Sequence, residues 1–331
     1  MKKTHILAGV AAAILAFTVV SCQTVKEIIG TPTLSLESVG IKSLDLEGIT
    51  FNCNYSITNP YPVAFSIKEV AANILCNGNS FTKLATSQGV SVAAMGTKTN
   101  ALTFKIPYDS ILNLAKSISG KTALPFSIDG KASLDLSAVP LLENQSLTLP
   151  FNKSFDVPVF KPSFSLSDVK INLPSFETLK NAFINSGMNA VQAVNLATAL
   201  MQGKNVNEND LKKLDLNIDL LMNLNVKNSG SAAWNFLVNN CSINTTSGSL
   251  IDVKPVANSS ISASSGTVPL KASINTATAA SFIAQILNKT GSNPVFSLSS
   301  GLSFTDLKYA PNIPLSYSYE IPVSKVGISQ N

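Results

Sequence analysis

The chain repeats itself, and this limits its fold more than any other feature. Pro32-Thr33-Leu34-Ser35-Leu36-Glu37-Ser38-Val39-Gly40-Ile41 matches Pro162-Ser163-Phe164-Ser165-Leu166-Ser167-Asp168-Val169-Lys170-Ile171. Further on, Leu44-Asp45-Leu46 matches Leu214-Asp215-Leu216, and Asn59 matches Asn228. At the far ends, Phe155-Asp156-Val157-Pro158-Val159 matches Tyr319-Glu320-Ile321-Pro322-Val323. The offset grows after the first block, so the second copy carries an insertion near its start, placed at residues 174–212, where it interrupts the leading strand. A repeat of this length implies two domains, residues 32–160 and 161–325, each long enough to bury its own core.

Within each copy the dominant period is two. Phe51, Cys53, Tyr55 and Ile57 alternate with Asn52, Asn54, Ser56 and Thr58, and Leu220, Met222, Leu224 and Val226 form the corresponding series. Such alternation marks strands with one buried face. Each copy also holds one short helical pattern. The first runs over Ile111, Leu112 and Ala115 behind Asp109, read as its cap; the second runs over Phe282, Ile283, Ile286 and Leu287, opened by Thr278. The expected class is mostly β: two tandem antiparallel β-sandwiches, each with one helix. The insertion is helical instead, with Phe176, Leu179, Phe183, Ala190, Val194, Ala197 and Met201 at helical spacing, Pro174 at its start and Gly187 as the point of division. It reads as a helical hairpin packed on the second sandwich. Its Asn, Gln and Thr face lacks the lysines of a membrane-surface helix.

The N-terminal segment reads as an address. Lys2 and Lys3 precede an apolar run over residues 6–20, closed by Val19-Val20-Ser21-Cys22. A charged start and a short apolar run ending in small residues make residues 1–21 a secretory signal, too short for a stable membrane span. The final tetrapeptide resembles the lipobox of bacterial lipoproteins, in which the cysteine is acylated. On that resemblance Cys22 is the lipidation site, residues 22–31 are the linker, and the chain stands in the cell envelope at the periplasmic face of the outer membrane. Acyl chains anchor durably because each buried methylene contributes about 0.8 kcal/mol.

Composition removes several function classes. The sequence contains no arginine, and without Lys2 and Lys3 its 22 lysines face 19 acidic residues. With neither the guanidinium fork nor a lysine cluster, nucleic acid is not an expected partner. The one histidine, His5, lies in the signal, so the mature chain has no imidazole for Ser-His-Asp or Cys-His catalysis or for a histidine-ligated metal. No enzyme activity, metal or cofactor is expected.

Asp215-x-Asn217-x-Asp219 has the opening spacing of a calcium loop, but Leu220 and Val226 stand where the glycine and the closing glutamate belong. Ser80-x-x-Lys83 and Lys289-Thr290-Gly291 match two motifs of penicillin-binding enzymes but sit in the wrong local contexts and in different copies. Trp234 and Phe236 align with Phe65 and Ile67 and read as core. Cys241 reads as a small buried hydrophobe. If the strand ending at Asn59 and the strand leading to Cys76 form a hairpin, Cys53 and Cys76 fall at the edge of the facing positions; two outcomes stay open, a disulfide or two buried thiols.

The stretch Ile57-Thr58-Asn59-Pro60-Tyr61-Pro62-Val63-Ala64-Phe65-Ser66-Ile67, with the strand leading into it, resembles the type-two late embryogenesis abundant family, or water-stress-and-hypersensitive-response (WHy) domain. The resemblance covers residues 32–160 and, more weakly, 162–323, where Ser229 replaces the proline after Asn228. It implies an immunoglobulin- or fibronectin-like sandwich, no catalytic residues, and a link to desiccation and stress tolerance. The residues themselves give Asn59-Pro60 a structural role: Pro60 fixes its own φ, and the Asn59 side chain holds the turn backbone. The expected function is that of a non-catalytic lipid-anchored protein, protective or structural. The alternative is a binding module that receives a partner protein or apolar ligand at the helical insertion or in an inter-domain cleft.

Overall fold

The computed structural model describes residues 30–86, 89–117, 120–140, 142, 146–204, 206–245, 248–257, 260–309 and 312–330. Two compact units emerge. Unit 1 takes in residues up to Gly40, Phe51–Phe104 and Leu124–Val157; unit 2 takes in Ile41–Thr50, Lys105–Ala123 and residues from Pro158 onward.

Strands come in the order the alternation predicts. The first copy runs β1 (Thr33–Leu44), β2 (Gly48–Thr58), β3 (Phe65–Cys76), β4 (Asn79–Thr86), β5 (Val90–Val92), β6 (Thr97–Pro107), helix α1 (Tyr108–Lys116), β7 (Ala123–Asp135) and β8 (Ser146–Pro158). The second begins with β9 (Pro162–Leu173) and, after the insertion, gives β10 (Asn217–Asn228), β11 (Trp234–Asn244), β12 (Leu250–Pro255), β13 (Ser260–Ile261) and β14 (Ser265–Asn275). One helix and two strands then follow as in the first copy. The inserted helices are α2 (Phe176–Asn185), α3 (Ala190–Gln202) and α4 (Glu208–Lys212); the helix after β14 is α5 (Ala280–Asn288), followed by β15 (Val295–Phe304) and β16 (Ile313–Glu320). A last strand, β17 (Gly327–Gln330), pairs in parallel with β9 and covers its edge.

The fold is mostly β and sandwich-like. In unit 1, β1, β2 and β6 are neighbours in one layer, and β4, β3, β7 and β8 are neighbours in the other, with β5 alongside β3. Apolar residues of alternate positions meet between the layers. Phe51 of β2 and Phe104 of β6 stack at 5.5 Å, and Phe155 of β8 lies 5.3 Å from Phe51 and 5.8 Å from Phe126 of β7. In unit 2, β9, β10 and β14 make one layer, and β11, β15 and β16 the other. β12 pairs first with β11 and then, through Lys254 and Pro255, with β14, so it joins the two layers at an edge. Phe164 of β9 packs 5.5 Å from Phe236 of β11, and Trp234 and Phe236 are fully buried, as their alignment indicated.

Strict alternation would turn part of β3 and β11 inside out. Ile67 and Val70 are both buried although three positions apart, as are Val238 and Cys241. A register shift resolves each case, between Ile67 and Glu69 in β3 and between Val238 and Asn240 in β11. A bulge adds one residue and restores the inward face.

Three local expectations are corrected. The insertion does not interrupt a strand: it fills the loop between β9 and β10, where the first copy has only the turn after Leu44. Helix α2 is capped by Ser175, whose Oγ accepts from Thr178 N, one residue beyond Pro174. Helices α1 and α5 have no side-chain cap; Asp109 lies in the first turn of α1 and pairs with Lys161, and Thr278 instead donates to the Asn275 carbonyl. The division at Gly187 stands, its φ of +94° being one that glycine tolerates best. The hairpin buries Leu179, Phe183, Ala193, Ala197 and Leu200. The segment leading into α4 is tied to α5 through Asn288, which accepts from Val206 N at 2.9 Å and donates to Val206 O at 2.8 Å.

Candidate functional site

The most specific local structure is built around Asn59 at the end of β2. Its side chain is 1% exposed. Oδ1 accepts from Tyr61 N at 2.8 Å, while Nδ2 donates to Val63 O and Ala93 O, each at 2.9 Å. The Asn59 amide donates to Gly96 O at 2.8 Å. One amide side chain thus ties the β2–β3 turn to the loop that follows β5. Pro60 adds its fixed φ but makes none of these bonds.

Asn228 repeats the arrangement at the end of β10. Its Oδ1 accepts from Gly230 N at 2.8 Å and from Lys161 N at 3.1 Å, and its Nδ2 donates to Ala232 O at 3.0 Å. Its own amide donates to Ser264 O at 2.8 Å. The i+2 acceptance and the i+4 donation are the same in both copies, although Ser229 stands in place of proline. The asparagine is therefore the common element, and proline is dispensable. A buried amide needs a donor–acceptor pair of this kind, since leaving either half unmet costs about 1–3 kcal/mol.

The cysteines do not meet. The hairpin that would have paired them does not form: β2 lies in one layer, and β3 pairs with β4, β5 and β7 in the other. Cys53, Cys76 and Cys241 are buried free thiols. Burial pushes Cys53 up to about 11, against the opposing pull of Lys153, and pushes Cys241 up to about 12; Cys76 is raised for the same reason. Thiols held protonated in this way are poor nucleophiles. With Cys22 replaced by Ala, the native chain should give no rapid reaction with an aromatic disulfide reagent at pH 8, and three thiols should appear on unfolding. A count of one thiol would mean that Cys53 and Cys76 are bonded after all.

The remaining sequence candidates fall on solvated strand faces or helix ends. Asp215 accepts from Asn275 Nδ2 at 2.9 Å, and Asp219 pairs with Lys271 at 3.1 Å. Ser80 is an exposed residue of β4, whereas Lys289 is the C-cap of α5 and donates to Val326 O. Among the described residues no cluster of three or more His, Cys, Asp or Glu is placed to hold a metal ion. Cys22 and His5, with the rest of residues 1–29, lie outside the described residues.

Each unit carries a groove on the outer face of its β3- or β11-containing layer. In unit 1 it measures about 780 Å³ over β3, β4, β7 and β8; in unit 2 about 940 Å³ over β11, β12, β15 and β16. Sequence reading missed both, because outward residues of a strand look alike whether the sheet behind them is flat or concave.

Comparisons with known proteins find similar chains, and one match is located within the first copy. A family model described as "Late embryogenesis abundant protein" matches residues 54–142. The late embryogenesis abundant protein Lea14-A of Gossypium hirsutum is 24% identical over 124 residues, 36% of this chain and 82% of that protein. Among solved structures, a protein from Arabidopsis thaliana aligns at 19% identity with a TM-score of 0.32, covering 39% of this chain and 83% of its own. A putative late embryogenesis abundant protein aligns at 14% identity with a TM-score of 0.33, covering 46% and 87%. Through residues 54–142, which hold the Asn59 turn, the chain is similar to the type-2 late embryogenesis abundant family.

Proposed function

We propose that this chain is a non-catalytic, lipid-anchored protein of the cell envelope that protects other macromolecules during water loss or related stress. The observation that carries this reading is the family match over residues 54–142, which points to a stress- or desiccation-related role. On this reading both copies are domains of the same family, and the twin asparagine turns at Asn59 and Asn228 support that. The absence of catalysis is argued from the sequence: no imidazole remains after residue 5, and the buried thiols are held protonated. Anchoring is argued from Val19-Val20-Ser21-Cys22, with the acyl chains of Cys22 as the contact to the outer membrane.

Two experiments test the two halves. The Cys22→Ala variant should leave the membrane fraction and appear among the soluble proteins; retention in membranes washed at high salt would reject the anchor. For protection, a drying-sensitive enzyme is dried and rehydrated with the Cys22→Ala chain or with an equal mass of serum albumin. Recovery above the albumin control is expected, and recovery equal to it would overturn the protective role.

A further inference from the structure

The outward polar residues of unit 2 fall into two groups. On the β9–β10–β14 layer five of them bond to one another: Asn225 Nδ2 donates to Ser167 Oγ at 2.9 Å, Thr267 Oγ1 donates to Asn225 Oδ1 at 2.9 Å, and Asn223 Nδ2 donates to Asp168 Oδ2 at 2.9 Å. Those five side chains are already paired. On the opposite layer the polar side chains Asn240, Ser242, Ser297, Ser299, Ser316 and Ser318 line the 940 Å³ groove. Among the described residues none of these six side chains has a hydrogen-bond partner within the protein.

Register arranges them in rows. Ser242 is opposite Ser297, which is opposite Ser318; Asn240 is opposite Ser299, which is opposite Ser316. Neighbouring strands lie about 4.8 Å apart, and rows two residues apart are separated by about 6.8 Å. The result is a grid of groups that both donate and accept. Its charges are few and balanced, Asp252 against Lys254, and Leu250 and Pro255 add apolar surface at one side. The corresponding groove of unit 1 carries Lys83, Asp129 and Lys131, so the hydroxyl grid belongs to the second copy alone.

We propose that the groove over β11, β12, β15 and β16 binds a neutral polyhydroxylated chain, an oligosaccharide. A charged ligand would find no net countercharge there, and an apolar one would leave six polar side chains without water or partner. A chain of sugar rings meets both demands: its hydroxyls pair with the grid, and its C–H faces cover Leu250 and Pro255. Concave sites with a few convergent polar groups are the usual form of a small-molecule site. Tyr317 lines the groove but is 9% exposed and packs against Phe164, so it offers no open ring face and affinity should be modest, with Kd on the order of 0.1–1 mM. The inference is independent of the protective role.

The test is calorimetric titration of the full chain, in a detergent without a sugar headgroup, against maltoheptaose, cellohexaose and chitohexaose. At least one probe should bind saturably and slow hydrogen exchange across residues 239–242 and 297–299. The Ser297→Ala/Ser299→Ala/Ser318→Ala variant, checked for an unchanged melting temperature, should weaken that probe at least tenfold. Ser299→Lys should do the same by blocking the groove, which guards against a folding defect in the triple variant. Lys83→Ala with Asp129→Ala should leave binding unchanged. Absence of binding by all three probes, undiminished binding in both serine variants, or protection in the unit 1 groove would each overturn the proposal.

Discussion

Replacing Asn59 with alanine is expected to destabilise the protein by about 3 kcal/mol, and Asn228→Ala by a similar amount. Each removal leaves a buried turn amide without its acceptor and one or more carbonyls without a donor: Tyr61 N, Val63 O and Ala93 O in the first case, Gly230 N, Lys161 N and Ala232 O in the second. A loss of 1 kcal/mol lowers the melting temperature of a domain of this size by about 2–4 °C, so a fall of about 10 °C should be seen. Hydrogen exchange at Tyr61 or Gly230 should rise with it. Pro60→Ser, which gives the first turn the residue that Ser229 supplies to the second, should cost less than about 1 kcal/mol. The isosteric Asn59→Asp separates the amide's two roles. It keeps the acceptor for Tyr61 N but sets a carboxylate against the carbonyls of Val63 and Ala93. Burial beside carbonyls raises the pKa of such a carboxyl, and only its protonated form can donate. The variant should therefore be least stable at neutral pH and recover as pH falls toward 5, the reverse of the usual acid response. If Asn59→Ala melts within about 2 °C of the parent while Pro60→Ser does not, proline holds the turn and the reading is wrong.

Much of this architecture is legible in the residues. The alternation through Phe51, Cys53, Tyr55 and Ile57 sets the buried face of β2, and all four are at most 2% exposed. Asn59 aligned with Asn228 because one hydrogen-bonding scheme is built twice. What failed depended on which segments become neighbours. The Cys53–Cys76 pairing assumed that consecutive strands form a hairpin, but a sandwich sends β2 and β3 to opposite layers. Asp109 looks like a helix cap until Lys161, 52 residues away, takes its carboxylate. The span 174–212, the helices and the break of the insertion are legible, but not that it joins two separate strands, β9 and β10, because the matching blocks around it leave the end of β9 undefined. The groove grid was invisible for a related reason. Ser297, Ser299, Ser316 and Ser318 are ordinary outward strand residues one by one, and only register assembles them.

Gly230→Ala should be the most damaging single methyl addition, with a cost of about 3–5 kcal/mol. A Cβ at this position would lie 2.0 Å from the Val159 carbonyl oxygen, 2.5 Å from its carbon and 2.7 Å from Phe160 Cα. All three are backbone atoms, so no side chain can swing aside. Nor can the backbone retreat freely. Val159 O accepts from Ala232 N, Val159 N donates to Thr122 O, and Ser229 N donates to Lys161 O, each at 2.9 Å. Phe160 is fully buried, with ring centroids 5.1 Å from Phe304, 5.3 Å from Trp234 and 5.9 Å from Tyr108. Any shift that makes room must therefore disturb those rings or the Asn228 turn, whose Oδ1 receives the Gly230 amide. The backbone φ of Gly230 is not in the left-handed region, so the requirement for glycine comes from space alone. In the first copy the aligned residue is Tyr61, buried against Phe65 at 6.3 Å, so the turn itself accepts a large side chain. The glycine answers to the strand end that passes it in the second copy, a neighbour fixed by tertiary structure and not by the turn. The expected result is a melting temperature at least 10 °C lower, or accumulation as insoluble protein, while Ser229→Ala one residue away stays near the parent. A Gly230→Ala chain that melts within about 2 °C of the parent would show that Val159 does not approach so closely.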